Sequence, residues 1–211
     1  GGLINESADI DNSIAGDVTG DVYNRNGATL TSTAEVGGNF WNNGALTVSG
    51  TIHGTLTNKV ASAANATLNL GGNLNVGGLV NNGSITVDDN RTLTSGTAVD
   101  NNGTLDVDGT LTGSVNNDKR LDVAGTVSGK VTNNDGGTLI STGNIGALEN
   151  DSEHATISGT VTGDVENKDD GVLVSSAAIG GDVQNDGTAT LSNSVGGTIT
   201  NDGTLNVAGN L

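Results

Sequence analysis

Apolar side chains along this chain recur at steps of two, four and four residues, and an asparagine follows two positions later. Leu105, Val107, Leu111 and Val115 lead to Asn117, and Leu121, Val123, Val127 and Val131 lead to Asn133. The same steps join Leu46, Val48, Ile52, Leu56 and Asn58. They return in Ala155, Ile157, Val161, Val165 and Asn167, and in Ala189, Leu191, Val195, Ile199 and Asn201. Serine fills one slot in Leu173, Ser175, Ile179, Val183 and Asn185, as it does in Leu30, Ser32, Val36, Phe40 and Asn42. No window carries the i, i+3, i+4, i+7 stripe of an amphipathic helix, and the intervening Gly, Asn and Thr are poor helix formers. The Leu-x-Val alternation belongs to a strand, in which neighbouring side chains face opposite ways. Very short strands that turn at glycine and repeat every ~16 residues predict a coil with about three sides. The predicted fold is therefore all-β, a single parallel β-helix (β-solenoid) over residues 1–211 with about eleven coils of roughly 16–18 residues.

The asparagine anchors are Asn24, Asn42, Asn58, Asn81, Asn101, Asn117, Asn133, Asn150, Asn167, Asn185 and Asn201. Two intervals between them are long, and the extra residues, near 59–66 and 88–92, are expected to form loops at a corner. The coil over 133–149 is the poorest match, because Leu148 arrives one residue early. Strand phase points each anchor inward, where a buried amide needs partners. Identical amides one rung apart supply them as a hydrogen-bonded ladder. Asn42, Asn81, Asn101, Asn185 and Asn201 begin Asn-x-Gly, so a glycine with positive φ is expected at that corner.

Composition narrows the picture. Tyr23, Phe40 and Trp41 are the only aromatics and Met is absent, so the core must be thin and aliphatic. A net charge of −17, from 24 acidic and 7 basic residues, argues against nucleic acid as a partner and against an anionic membrane surface. With no Cys there is no disulfide, thiolate zinc site or thiol chemistry. No run approaches the ~18 apolar residues of a membrane-spanning helix. Few aromatics and high charge also suit disorder, but a disordered linker does not hold a repeat in phase. The chain starts Gly1-Gly2-Leu3, which reads as mature or excised material. Ile10, Ile14, Val18 and Val22 open it without a cap, and Leu205, Val207 and Leu211 leave its last coil unfinished. Both ends are therefore expected to stack on further coils or on another copy.

Val115-Asn-Asn117, Asn101-Asn-Gly-Thr-Leu105 and Asn201-Asp-Gly-Thr-Leu205-Asn-Val207 resemble the degenerate repeats of bacterial autotransporter passengers and filamentous-haemagglutinin-type exoproteins. The resemblance covers nearly the whole chain. It implies a right-handed parallel β-helix, secretion across a Gram-negative outer membrane, and a role in adhesion or biofilm. The coils are shorter than those passengers usually carry, and short triangular helices also occur in polymerising proteins.

Candidate chemistry is sparse. His53 takes an outward slot beside inward Ile52 and reads as a surface residue. Ser152, Glu153 and His154 are consecutive and cannot point at one another as a catalytic triad does, so they are expected to form an exposed corner loop. A carbohydrate-cleaving site needs a carboxylate pair in a cleft, and no such constellation stands out, so no enzyme is expected. Calcium is the chemical alternative. Asp164 and Asp182 hold equivalent slots on neighbouring coils, and two carboxylates ~4.8 Å apart repel unless screened or bridged. Gly71-Gly-Asn-Leu-Asn-Val76 echoes a glycine-rich calcium repeat but lacks its aspartate. Solvated surface acid is the preferred reading of the aspartates, with no cofactor. Thr29/Thr31, Thr110/Thr112, Thr160/Thr162 and Thr188/Thr190 raise an ice-binding array, yet every column is interrupted. The expected function is a structural or adhesive protein, extracellular or on a bacterial cell surface. A filament subunit stacking end to end is the first alternative and a calcium-stabilised matrix protein the second. Expected partners are further copies at the solenoid ends or host and cell-surface ligands.

Overall fold

The computed structural model describes residues 1–6, 12–25, 27–59 and 66–208. It is an all-β parallel solenoid of about eleven turns. Every strand pairing among the described residues is parallel, each strand lying on its equivalent one coil away. A regular coil has three strands, Thr104–Val107, Thr110–Thr112 and Val115–Asn117, separated by two-residue corners. We refer to the sides they form as the Leu side, the Thr side and the Asn side.

The four apolar slots of that coil, Leu105, Val107, Leu111 and Val115, are all completely buried, as are their counterparts Leu121, Val127 and Val131 in the next. Register makes columns of these slots, and shifts in the pairing of Ala45–Asn58 with Thr67–Asn81 put Ile52 in line with Val76 and Ser95, beside the column of Leu74, Leu93 and Leu111. Val22, Phe40, Leu56, Leu79, Val99, Val115, Val131, Leu148, Val165 and Val183 follow one another up the Asn side. The core is therefore a narrow aliphatic thread, with Phe40 its one aromatic.

Two further irregularities keep the columns aligned. Leu148 stays in its column because the pairing shifts between Val127 and Lys130, where a bulge around Ser128 and Gly129 absorbs the missing residue of the following coil. Around Asp88 the expectation needs correction. Six residues separate Val87 from Leu93 where four separate the aligned Val107 and Leu111, but Leu93 to Val99 is also six against four for Leu111 to Val115. The extra chain is thus shared between two corners, and only the first is the expected loop, a turn at residues 88–91 with Asn90 at φ 61°. Most of the predicted 59–66 loop, residues 60–65, lies outside the described residues, as do Ile10 and Leu211.

The Asn-x-Gly glycines also have another cause than the expected one. None of Gly44, Gly83, Gly103, Gly187 or Gly203 has positive φ. Coils approach closely here: a Cβ added to Gly103 would collide with the carbonyl oxygen of Gly83 one coil away. Glycine is required for clearance, with the Gly44 and Gly83 amides donating to Asn42 Oδ1 at 3.2 Å and Asn81 Oδ1 at 3.1 Å.

Candidate functional site

The interior chemistry is the asparagine ladder. All eleven predicted anchors join it, and Asn5 extends it by one rung. In every link the Nδ2 of one asparagine donates to the Oδ1 of the next, over 2.7–3.0 Å and without a break from Asn5 to Asn201. The second Nδ2 proton goes to a backbone carbonyl, as from Asn101 to Arg120 at 2.8 Å. Asn24 through Asn185 are completely buried, whereas Asn201 in the last described coil is exposed. Sequence reasoning passed over Asn5, although Leu3-Ile-Asn5 repeats the apolar-x-Asn pattern of Val22-Tyr-Asn24.

Asp164 and Asp182 have a structural occupation. Asp164 Oδ1 accepts the backbone N–H of Asp182 at 2.9 Å, and Asp182 Oδ1 accepts that of Thr198 at 2.7 Å. Asp21 and Asn39 repeat the device on Asn39 at 2.8 Å and Thr55 at 2.8 Å. The glycine before each donating amide leaves room for the oxygen, since a Cβ on Gly181 would strike Asp164 Oδ1. These side chains cap amides from coil to coil, which explains the shared slot without a bridging cation. Among the described residues no three His, Asp or Glu side chains are grouped as metal ligands would be.

The other predicted positions separate. Glu153 and His154 are exposed, but Ser152 is buried, contrary to the expected exposed corner. Ser152 replaces the glycine of Asn-x-Gly, and its hydroxyl donates to the Gly137 carbonyl and accepts the His154 amide at 3.2 Å. His53 faces outward as expected and meets Glu35 Oε1 of the preceding coil at 2.6 Å. The Thr pairs fall on two sides. Thr110/Thr112 and Thr160/Thr162 share the Thr side, where Asn144 interrupts the column, while Thr29/Thr31 and Thr188/Thr190 lie on the Leu side.

Ion pairs link coils around Glu149. Glu149 meets Lys130 of the preceding coil at 2.5 Å and Lys168 of the following one. Hydrogen bonds from Lys130 and then Lys168 hold the Glu149 carboxyl below the ordinary glutamate range. A lowered folded value means stabilisation that is present above the unfolded pKa of about 4.3 and lost as pH falls through the folded one. Glu149→Gln is therefore expected to lower the melting temperature at neutral pH and to melt with the wild type in strong acid. On the Leu side Asp106 lies over Asp122, whose carboxylate pairs with Arg120 at 2.6 Å. Burial first, and Asp122 second, raise the Asp106 carboxyl, so its linkage has the opposite sign.

Among outward side chains, Tyr23 and Trp41 stand one coil apart on the Asn side and stack, ring centroids 4.5 Å apart and planes 7° from parallel. The Arg25 guanidinium lies 5.0 Å from the Tyr23 ring centre. Neither Tyr23 nor Trp41 was singled out in the sequence as more than a rare aromatic. Each immediately precedes a ladder asparagine, which was the available signal. No helix among the described residues is long and apolar enough to cross a membrane. Comparison with known proteins finds no matching family model, curated protein or solved structure.

Proposed function

We propose that this chain is a structural and adhesive repeat protein that acts outside the cell or on a bacterial surface and carries no catalytic machinery. The observation behind this reading is the continuous asparagine ladder over aliphatic columns, which gives one long element stiffness through repetition. Its exterior slots contribute little to that scaffold, so they are open to contact residues. The resemblance to autotransporter and haemagglutinin-type repeats points the same way, towards secretion and adhesion. Aspartates that cap backbone amides suit this role better than a calcium-stabilised matrix does.

The test is direct. Antibody labelling of intact producing cells should decorate their surface or the medium, and beads coated with the purified chain should attach to cells or matrix. Label confined to the cell interior, or coated beads that attach no better than bare ones, would sink the proposal. Light scattering on the same material addresses the filament alternative: rods that lengthen with concentration would favour a self-assembling subunit.

A further inference from the structure

Charge is unevenly distributed along the solenoid. Of the 24 acidic residues, Glu35 alone falls between Val22 and Val87, where the basic residues are Arg25 and Lys59. Glu35 is already engaged by His53. The same stretch holds every aromatic residue of the chain. Its outward slots are otherwise mostly Thr, Ser, Asn and Gly, as in Thr55, Thr57 and Asn69. A nearly neutral, hydroxyl- and amide-rich surface is therefore set into a molecule of charge −17.

On that surface the aromatic stack has one closed side and one open side. Trp41 covers one face of Tyr23, and Arg25, tied to Glu6 at 3.0 Å, flanks the ring. Tyr23 covers one face of the Trp41 indole. The other face looks towards the next coil, where Thr57 is in register, followed by Val80. These side chains are too short to cover an indole, so Trp41 forms a step above a low floor. Lys59, in the exposed corner two residues past Thr57, has no ion pair among the described residues. The Tyr23 hydroxyl and Trp41 Nε1 have no hydrogen-bond partner among the described residues either, which leaves two polar tips on a large apolar body.

We propose that Trp41, Tyr23, Thr57 and Lys59 form a binding site for a neutral glycan, one pyranose ring lying against the free face of the Trp41 indole. A sugar ring offers an apolar C–H face to the indole and hydroxyls to Thr57, Lys59 and the two ring tips. Arg25 is paired with Glu6 and Glu35 with His53, so Lys59 is a single charge beside the step among hydroxyls and amides, surroundings that favour an uncharged polyol over a polyionic ligand. An apolar protein partner would need a wider non-polar patch than one stack over threonines. The inference rests on the adhesive reading, for which it supplies the contact.

Trp41 is the chain's single tryptophan, so its emission reports on this site alone. The full chain would be titrated with maltoheptaose, cellohexaose and chitohexaose, and with polygalacturonate as the anionic comparison. A saturable change in emission with at least one neutral oligosaccharide, insensitive to salt, is expected. By calorimetry, Trp41→Thr, which installs the residue of the next coil, should abolish binding, and Tyr23→Thr should weaken it at least about tenfold. Both should leave the melting temperature within a few degrees of wild type, and Gln184→Ala on the same side should bind normally. No saturable response to any neutral oligosaccharide, binding to polygalacturonate alone, or wild-type affinity in Trp41→Thr would each overturn the site. Coated beads separate the two readings. Beads that attach equally well with Trp41→Thr leave the adhesive role standing and remove the glycan site, whereas wild-type beads that never attach count against adhesion itself.

Discussion

Val127→Asp is expected to unfold its neighbourhood, with a loss above about 4 kcal/mol at neutral pH. Val127 is completely buried, stacked between Leu111 and Ile145 in the Thr-side column. Nothing in that column can pair with a carboxylate, so the charge is taken out of water without compensation. Coils depend on their neighbours for coverage, so the damage should spread to the coils on either side. Ser128 is the internal comparison. It is the next residue, exposed, with its hydroxyl 3.3 Å from the Gly113 amide, and Ser128→Asp should change stability by no more than about 1 kcal/mol. Denaturant melts of the two variants decide the matter. Similar midpoints would refute the assignment of inside and outside along this strand.

The second large effect is expected from Asn117. Its Oδ1 accepts from Asn101 at 2.7 Å, and its Nδ2 donates to Asn133 at 2.8 Å and to the Thr138 carbonyl at 3.1 Å. Asn117→Ala strands a buried donor on one side and a buried acceptor on the other, at ~1–3 kcal/mol each. Asn117→Asp should be worse at neutral pH, although the shapes nearly match. An ionised carboxylate still accepts from Asn101 but turns an acceptor towards the Asn133 Oδ1, and it is desolvated as well. Burial raises the pKa of such a carboxyl. Its protonated form regains one donor, so the Asp variant should recover part of its stability as pH falls, and the Ala variant should not. Thermal melts of both variants across the acid range test this. An Asp variant that tracks the Ala variant at every pH would mean that the aligned donors and acceptors do not hold the coils together.

Much of the fold was legible in the sequence, and what was legible has a common origin. The steps of two and four residues in Leu105, Val107, Leu111 and Val115 report which way a strand residue points, a property of the local backbone. For the same reason the anchors from Asn24 to Asn201 could be assigned to one ladder. Other features depend on the height at which separate coils meet. Ser152 looked like part of an exposed corner because Glu153 and His154 are polar, but its slot is the close-approach position that glycine occupies elsewhere. Asp164 and Asp182 looked like a repelling pair because the amides that their oxygens cap belong to the next coil.

The sequence by itself determined the repeat, the aliphatic content of the core and the inward phase of each anchor, because strand alternation and side-chain volume act within a few residues. Tertiary structure alone decided which outward groups meet. The bulge at Ser128 and Gly129 and the two lengthened corners after Val87 and Ser95 set how one coil sits on the next. Regular parallel register stacks Tyr23 on Trp41, and the bulge before Lys130 sets its approach to Glu149, which Lys168 also reaches. Partners in these contacts are 18 or 19 residues apart, and they meet because parallel register sets neighbouring coils one rung, about 4.8 Å, apart: Tyr23 lies at the position equivalent to Trp41, and Glu149 reaches Lys130 and Lys168 two positions off register.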